Sequence, residues 1–291
     1  MEVIKIMLNS WQFNTVVAVV FSVLHIQFYK LAVRNTQREG VATIILEFIG
    51  GLSAIVLIPF FVFKFSVDLK IIILFIFANV FYTLNDRIKT IVRKNLEVSV
   101  FSLLGQLSQV FLIVYGIILF NNPIVATKLI GGALIILGNV ALFYHRRKFF
   151  INKYVFLSML ASLLLATALI IDVDISKQFN LPFYVMLTLL IPATFNYTLE
   201  KCSIKDIIVE FNTYQKKYYI ITGFVFGPMI IFTIRAFQLG QIAFIAPLLA
   251  TSVLLNVLVA SIFYKERTHI FKKIIVAIII VIGIYLTVAT I

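Results

Sequence analysis

The chain has 291 residues, of which 62% are hydrophobic and only 13% are charged, and its mean hydropathy is +1.08. Soluble domains contain about 25% charged residues, so this composition excludes a soluble globular protein and predicts an all-α polytopic membrane protein. The single cysteine, Cys202, excludes an intramolecular disulfide and a cysteine metal cluster. The three histidines are far apart in sequence, and we expect no metal and no other cofactor.

The net charge of +13 would fit a nucleic-acid partner, but the basic residues lie in short runs between apolar segments. In membrane proteins such runs fix the topology of the spans, so we expect no nucleic-acid binding. The first apolar segment follows Trp11 and has no small-residue cleavage site, which predicts a retained span and not a signal peptide. The predicted location is the plasma (inner) membrane, with many passes.

Ten segments are long and apolar enough to cross about 30 Å of hydrocarbon as helices. They are residues 12–33, 41–62, 70–90, 97–119, 124–144, 154–176, 182–200, 217–237, 242–264 and 269–289. Helices are expected because every backbone polar group in lipid must be satisfied within its own segment, and barrel strands would be about 10 residues long and alternate. The longest polar stretch, Glu200 to Lys217, can hold a brief surface helix at most.

The chain contains an internal repeat with an offset of 145 residues. The shift places residues 94–141 on 239–286, and each copy has an apolar span, a tight polar turn and a second apolar span with a late glycine. We predict two five-helix repeats, residues 1–145 and 154–291, joined by the linker 146–153. Because each half has an odd number of spans, the halves would be inverted relative to each other, as in many transporters.

Several segments of the second half resemble a known family. The chain has ten short predicted spans in two sets of five. This layout, the segments Thr233–Gly240 and Phe263–Glu266, and the positions of Pro247 and Gly283 resemble the EamA family of the drug/metabolite transporter superfamily. The first half departs from that pattern at two positions: Asn121 replaces a glutamate that is usual in the family, and Ser102 replaces a common proline. The resemblance implies a small-molecule carrier, often an exporter of amino acids or other metabolites, that works by alternating access.

Two arguments about orientation disagree. Nineteen of the 25 lysines and arginines follow the odd-numbered predicted spans, and six lie on the other side. The positive-inside rule then places both termini outside, whereas the family resemblance implies that both are cytoplasmic. The size of the charge bias favours the first arrangement.

A carrier needs polar groups near mid-membrane that face a cavity, since the same groups facing lipid would cost several kcal/mol each. Polar side chains recur at helical spacing on four predicted spans, and we predict that they bind solute. They are Ser22, His25 and Tyr29 on span 1, Asn79 and Thr83 on span 3, Ser102, Gln106 and Gln109 on span 4, and Thr251 and Asn256 on span 9. For the three amides of spans 4 and 9, the alternative is a hydrogen bond between packed helices, which contributes about 0.6 kcal/mol.

Five ionisable residues within the spans are candidates for ion or proton coupling: His25, Glu47, Arg87, Asp172 and Arg235. His25 titrates near neutral pH when unperturbed, and its alternative role is packing. For the other four, interface anchoring is the favoured role, and ion or substrate pairing is the alternative. The remaining expectations are structural, with a helix cap or local ion pair at Glu266, and close helix packing at Gly131, Gly138 and Gly283.

The favoured function is secondary transport of a small organic solute, such as export of a metabolite or amino acid, by alternating access around a midplane cavity. The expected partners are this solute, protons and the lipid bilayer, and the protein would be a monomer or homodimer. The gradient of the solute itself or of protons would drive it. No glycine-rich nucleotide loop ends in Gly-Lys-Ser or Gly-Lys-Thr, which disfavours ATP hydrolysis.

Two other classes stay open. A membrane-embedded enzyme acting on a lipid-linked substrate needs a compact catalytic set, and Asp172 with Asp174 is the only acidic pair available. We therefore expect no enzyme. A non-transporting scaffold or sensor would need neither two inverted copies nor polar stripes at the midplane.

Overall fold

The computed structural model describes residues 7–66, 68–120, 125–145, 148–149, 152–213, 215–240, 242–266 and 268–288. Helices make up 87% of it, which confirms the all-α prediction. Within the described ranges, the only strand pairing joins residues 144–145 to residues 148–149 in antiparallel orientation. The helices are α1 Trp11–Val33, α2 Glu39–Ile55, α3 Leu69–Asn95, α4 Val98–Gly105, α5 Leu107–Phe120, α6 Ala126–Phe143, α7 Lys153–Ile175, α8 Leu181–Glu200, α9 Ile204–Thr213, α10 Lys216–Leu239, α11 Ile242–Phe263 and α12 Ile270–Val288.

Nine helical segments in the described part of the chain are long and apolar enough to cross a membrane, so this is a multi-pass membrane protein. Helix α6 is also apolar, but its apolar part, Ala126–Ala141, is shorter than the other spans. Helix α2 ends at Ile55, before the predicted end of span 2 at residue 62. The other predicted boundaries agree with the observed ones within a few residues except at α3. There the helix continues from the predicted end at residue 90 to Asn95.

The fourth predicted span is interrupted at Gln106, which separates α4 from α5. The Gln106 amide donates to the Leu103 carbonyl at 3.2 Å, a tighter turn than the α-helix makes. The Ser108 hydroxyl donates to the Gly105 carbonyl at 2.9 Å and occupies that acceptor. The sequence contains no proline here, so a continuous helix was the expectation, and local hydrogen bonds explain the interruption.

Glu266 caps the start of α4, as predicted. Its carboxylate accepts hydrogen bonds from the amides of Val98 at 3.0 Å and Ser99 at 3.2 Å, and from the Ser99 hydroxyl at 2.7 Å. The first amides of a helix have no partner within the helix, and a negative charge there is also favoured by the helix dipole. This contact joins the loop before α12 to the start of α4.

The short helix α9 is the surface helix that the polar stretch was expected to hold. Ile207 and Phe211 on one side pack against the cluster that contains Tyr29, Cys202 and Tyr219. Other apolar residues of the helix, Ile204, Ile208 and Val209, are exposed. An amphipathic helix with exposed apolar residues fits the interface between lipid and water.

The helices form one interleaved bundle. The most extensive packing joins helices of residues 1–145 to helices of residues 154–291, in the pairs α1–α10, α3–α7, α2–α8 and α6–α12. Smaller contacts join α1 to α11, α4 and α5 to α7, α2 to α10, α3 to α8, and α4 to α11. The two sequence halves therefore share a single core.

Glycines permit the closest approaches between helices. A Cβ atom at Gly131 on α6 would collide with the backbone of Gly283 on α12, and one at Gly138 would lie 3.1 Å from Ile280. These contacts agree with the close packing predicted for all three glycines. Gly227 on α10 meets the Gly50 carbonyl in the same way.

Gly131 and its neighbour Gly132 provide a matched test of this packing. A Cβ at Gly132 would touch only Ile113, at an ordinary 3.7 Å. We expect Gly131→Ala to lower the melting temperature in detergent, because overpacking a tight contact costs about 1–3 kcal/mol. Gly132→Ala should leave it unchanged or raise it. Equal melting temperatures for the two variants would contradict the α6–α12 contact.

Candidate functional site

A central cavity of about 260 Å³ lies between α3, α7, α8 and α10. Tyr82, Thr188 and Met229 line it and lie near the middle of α3, α8 and α10, so it sits at mid-bundle. Most of its wall is apolar, and the charged side chains that line it are Asp86, Lys89 and Asp172. A mainly apolar cavity with a few polar groups is the usual form of a small-molecule site.

Asp86 and Lys89 lie one turn apart on α3, and Lys89 Nζ is 3.9 Å from the Asp86 carboxylate. Both side chains are mostly buried. Asn85, which also lines the cavity, donates from its amide to Asp86 at 2.7 Å. This arrangement gives the cavity one positive and one negative group side by side.

Asp172, on α7, contributes the second carboxylate. The Tyr82 hydroxyl donates to it at 2.8 Å, and the Tyr184 hydroxyl donates to its other oxygen. Tyrosine hydroxyls hold the carboxylate without neutralising it, and no cation lies within 4.0 Å of it in the described part of the chain. Asp172 can therefore meet a cationic group or exchange a proton without breaking an ion pair.

His25 lies behind one wall of the central cavity. Its ring stacks on Phe226, a lining residue, with 4.4 Å between centroids. An Arg93 guanidinium nitrogen lies 3.2 Å from His25 Nε2, and Nδ1 lies 3.4 Å from the Thr222 carbonyl. Because arginine can only donate, Nε2 accepts and Nδ1 carries the proton. His25 is therefore neutral in this arrangement.

The Arg93 guanidinium is buried among aromatic rings. It lies 3.9 Å from the centroid of Tyr29 and 4.8 Å from that of Phe101, close enough for cation–π attraction. The Tyr29 hydroxyl is 2.7 Å from that of Thr90, and Thr90 is 2.6 Å from Thr43. These side chains connect α1, α2 and α3 through polar contacts.

Glu47 is a buried acid near the middle of α2. Its exposed fraction is 1%, and the Asn196 amide donates to both carboxylate oxygens at 3.1 Å. No lysine or arginine of the described ranges lies within 4.0 Å of it. Like Asp172, this carboxyl can take up or release a proton without breaking an ion pair.

The interior retains unsatisfied polar atoms. Those near the cavity, Glu47 and the His25 cluster that find no partner in the described structure are Asn79 Oδ1, Asn85 Oδ1, Asn196 Oδ1, Thr222 Oγ1 and Arg93 Nε. Buried polar groups normally have a protein or water partner, and unpaired groups are costly in a low-dielectric interior. Their concentration here is typical of a site that holds water or a polar ligand.

A second, larger cavity of about 820 Å³ opens at one end of the bundle, which we call face A. Three cations line it: Lys64 before α3, Lys177 after α7 and Arg235 near the end of α10. The lining contains no aspartate or glutamate. Arg235 also donates to Asn9 Oδ1 at 2.6 Å and to the Leu8 carbonyl at 3.3 Å. We call this cavity the vestibule.

An aromatic layer lies between face A and mid-bundle. Phe75, Phe179 and Tyr184 belong to one buried cluster, and their ring centroids are 5.4–6.0 Å apart. Phe179 also lines the vestibule, and Tyr184 donates to Asp172 at the central cavity. The layer therefore separates the two cavities.

Ion pairs close the opposite end, face B. Glu200 at the end of α8 bonds Arg87 of α3 at 2.5 Å and Arg38 at the start of α2 at 3.1 Å. Lys94 bonds Glu39 at 2.6 Å, and Lys273 pairs with Glu97. These pairs join α2, α3, α4, α8 and α12 around face B.

Asp206 extends this network outside the spans. Hydrogen bonds from the Ser203 backbone amide and hydroxyl lower the pKa of the Asp206 carboxyl, with a smaller contribution from Arg38. Arg38 lies 3.4 Å from it. Asp206 therefore stays ionised and supports the orientation of Arg38 toward Glu200.

The predicted solute-binding residues lie in different places. Of all predicted site residues, Asp172 alone lines the central cavity, while His25 and Tyr29 form the cluster behind Phe226. Asn79 and Thr83 are buried and donate to carbonyls of their own helix, at 2.7 Å each, and Ser22 is half-buried.

The stripe predicted on spans 4 and 9 lies away from the cavity. Gln106 and Gln109 are half-buried, and buried Ser102 has a hydroxyl without a partner in the described structure. Thr251 donates to the Leu248 carbonyl at 2.5 Å. Asn256 accepts from Gln27 of α1 at 3.0 Å, the interhelical hydrogen bond that was its alternative role.

The four remaining coupling candidates divide between cavity and faces. Glu47 is buried near the centre, and Asp172 lines the cavity. Arg87 belongs to the face-B ion pairs, and Arg235 lines the vestibule. The Asp172 partner proposed for an enzyme, Asp174, has a side chain outside the described set. No group of three metal-binding side chains occurs among the described residues.

Sequence reasoning missed Asp86 and counted Lys89 only among the basic residues that set the orientation. The signal was present, because Tyr82, Asp86, Lys89 and Arg93 follow steps of four, three and four, which place them on one helix face. The predicted end of span 3 at residue 90 left Arg93 outside the span, so the shared face was not recognised. Because α3 continues to Asn95, these residues belong to the interior of a span.

No protein-family model matches the sequence, and no curated protein matches it. The fold is similar to that of a protein of known crystal structure, with a TM-score of 0.52 and 11% sequence identity. The superposition covers 94% of this chain and 96% of the other. At this identity, the similarity concerns the fold alone.

The Asp86–Lys89 pair can be tested through its energetic coupling. Removing one member leaves the other charge mostly buried, which is strongly destabilising, while removing both is tolerated better. We expect Asp86→Asn and Lys89→Met each to lower the melting temperature, and the double variant to recover at least half of the larger loss.

The control is Lys70→Met, an exposed position on the same helix, where we expect no change. Purely additive losses in the double variant would show that the two side chains do not interact.

Proposed function

We propose that this protein is a secondary transporter of the EamA type that moves a small polar solute through the central cavity. The observation that carries the proposal is a charged cavity at mid-bundle, closed by aromatic packing toward face A and by ion pairs toward face B. Alternating access requires a site with two separate closures. The arrangement corresponds to a state in which the central cavity is closed toward both faces, while the vestibule is open to face A.

The packing of the helices supports an inverted repeat of ten spans, with α4 and α5 together as the fourth. In an inverted repeat each span corresponds to the span five places later, so α1 corresponds to α7, α3 to α10, and α4 with α5 to α11. Under this exchange the contact α1–α10 becomes α7–α3, and the contact α1–α11 becomes α7–α4. All four contacts are present. The pairs α2–α8, α6–α12 and α4–α11 are converted into themselves. A two-fold axis in the membrane plane produces this pattern.

The cavity lining favours a zwitterionic or neutral polar solute. Asp86 and Asp172 can meet an ammonium or hydroxyl groups, and Lys89 can meet a carboxylate. A volume of about 260 Å³ suits a small metabolite and lies just below the usual range of drug-sized sites. Three cations in the vestibule attract the negative end of such a solute.

Glu47, Asp172 and His25 are the groups through which protons can be coupled to transport. Glu47 and Asp172 have no cation partner among the described residues, and His25 has a neutral ring held by Arg93. Protonation of His25 would place a second positive charge against the guanidinium and displace it. This would loosen the contacts between α1 and α3 that lie between the central cavity and face B.

The proposal predicts that Asp172→Asn abolishes transport. The solute is first identified by a thermal-shift screen of purified protein against metabolites, and uptake is then measured in proteoliposomes. We expect at least a tenfold loss of uptake, with a melting temperature close to that of the wild type, because Asn can still accept one tyrosine hydrogen bond.

The matched control is Asp68→Asn, at an exposed position where Asn can replace Asp as the helix cap. It should transport normally. Wild-type uptake by Asp172→Asn would remove the central cavity from the pathway, and turnover of a labelled lipid without flux would favour the enzyme alternative.

The native cysteine reports opening of face B. Cys202 is the only cysteine of the chain, lies two residues after Glu200 and has an exposed fraction of 7%. We expect Arg87→Gln to raise the maleimide labelling rate of Cys202 at least fivefold, because Glu200 loses one of its two arginine partners.

Lys70→Gln removes the same charge from the same helix at its face-A end, and it should label at the wild-type rate. If the Arg87 variant also labels at that rate, the ion pairs do not hold face B closed.

A further inference from the structure

A crevice of about 640 Å³ lies between α1 and α11 on face B. Its walls are apolar and are formed by Val23, Leu24, Phe28, Leu31, Val259 and Phe263. Leu24 and Phe263 have exposed fractions of 37% and 78%, so the crevice opens toward the surface that meets lipid. It is separate from the central cavity and shares no lining residue with it.

The length of the crevice matches one lipid leaflet. Its lining on α1 extends from Val23 to Arg34, which corresponds to about 16 Å at a rise of 1.5 Å per residue. The hydrocarbon core of a bilayer is about 30 Å thick, and one leaflet is about half of this. An acyl chain that enters beside α1 would follow the apolar walls to mid-membrane.

The face-B end of the crevice carries a net positive charge, since three cations, Lys30, Arg34 and Lys265, line it together with one carboxylate, Glu266. Arg34 and Lys265 line it and make no ion pair or side-chain hydrogen bond with any other described residue. Lys30 donates to the carbonyls of Lys94 and Leu96 at 2.8 Å each and meets no carboxylate. The Glu266 carboxylate accepts the hydrogen bonds that cap α4 and offsets one of the three positive charges, so the end of the crevice stays positive.

We infer that this crevice binds an anionic glycerophospholipid, with one acyl chain along its apolar walls and the phosphate at Arg34 and Lys265. Charge and apolar surface both contribute, since neither a free phosphate nor an uncharged lipid would use the whole site. Juxtamembrane cations each increase affinity for an anionic lipid surface about fivefold. The bound lipid would bridge α1 and α11, which belong to different halves of the chain.

Native mass spectrometry of delipidated, detergent-purified protein tests the site directly. The probes are palmitoyl-oleoyl phosphatidylglycerol, the phosphatidylcholine with the same chains, and glycerol 3-phosphate at constant ionic strength. We expect one high-affinity phosphatidylglycerol per chain, and roughly 30-fold weaker binding by the double variant Arg34→Gln/Lys265→Gln.

Two further variants separate charge from shape. Lys205→Gln/Lys216→Gln removes two positive charges from face B outside the crevice and should bind the lipid like the wild type. Val259→Trp keeps both cations but fills the apolar wall, and it should lose the high-affinity lipid.

Equal weakening by the two double variants would overturn the inference, because binding would then follow net charge alone. Equal binding of phosphatidylcholine, or of glycerol 3-phosphate, would also overturn it. The assay measures no transport, so its failure would leave the proposed function untouched.

Discussion

A charged side chain within a membrane-spanning bundle must find a partner or water inside the protein, because lipid offers neither. Helix α3 depends on this constraint most strongly, since Asp86, Lys89 and Arg93 lie within one span. Each finds a different solution. Asp86 and Lys89 pair with each other in the wall of the central cavity, and Arg93 lies against aromatic rings and a histidine. The packing of α3 against α1, α7 and α8 therefore sets the position of the site.

The constraint also explains why glycines occur where they do. A cavity at mid-bundle requires helices to separate there, so they must approach closely elsewhere to keep the bundle intact. Gly131 and Gly283 provide such a contact between α6 and α12, and Gly50 and Gly227 provide one between α2 and α10. Both pairs are tight helix contacts that lie outside the lining of the central cavity.

Most of the fold could be predicted because the apolar segments are long and clearly bounded. The first span was predicted at residues 12–33 and is observed at Trp11–Val33. The same criterion failed at α3, where hydropathy falls while the helix continues, so Arg93 and Lys94 lay outside the predicted span. The role of Glu266 could be predicted, since an acid beside a span start is a common helix cap.

The partners within the site could not be derived from the sequence. Arg87 and Glu200 are 113 residues apart, and only the packing of α3 near α8 brings them together. The amides of span 4 were predicted to share a helical face that lines a cavity. Whether that face meets a cavity or another helix depends on neighbours that one sequence does not identify. The break at Gln106 likewise results from local hydrogen bonds that many sequences can form.

The two closures differ in chemistry although an inverted repeat would give them related geometry. At the offset of 145 residues, Arg38, Arg87 and Glu200 correspond to Phe183, Phe232 and Ile55, all of them apolar. In the proposed transport cycle, opening face B would separate ion pairs and hydrate their charges, whereas opening face A would separate aromatic rings. Salt screens the first process and has little effect on the second. The sequence thus makes one closure sensitive to ionic conditions and leaves the other dependent on packing, so the two open states need not have equal free energy.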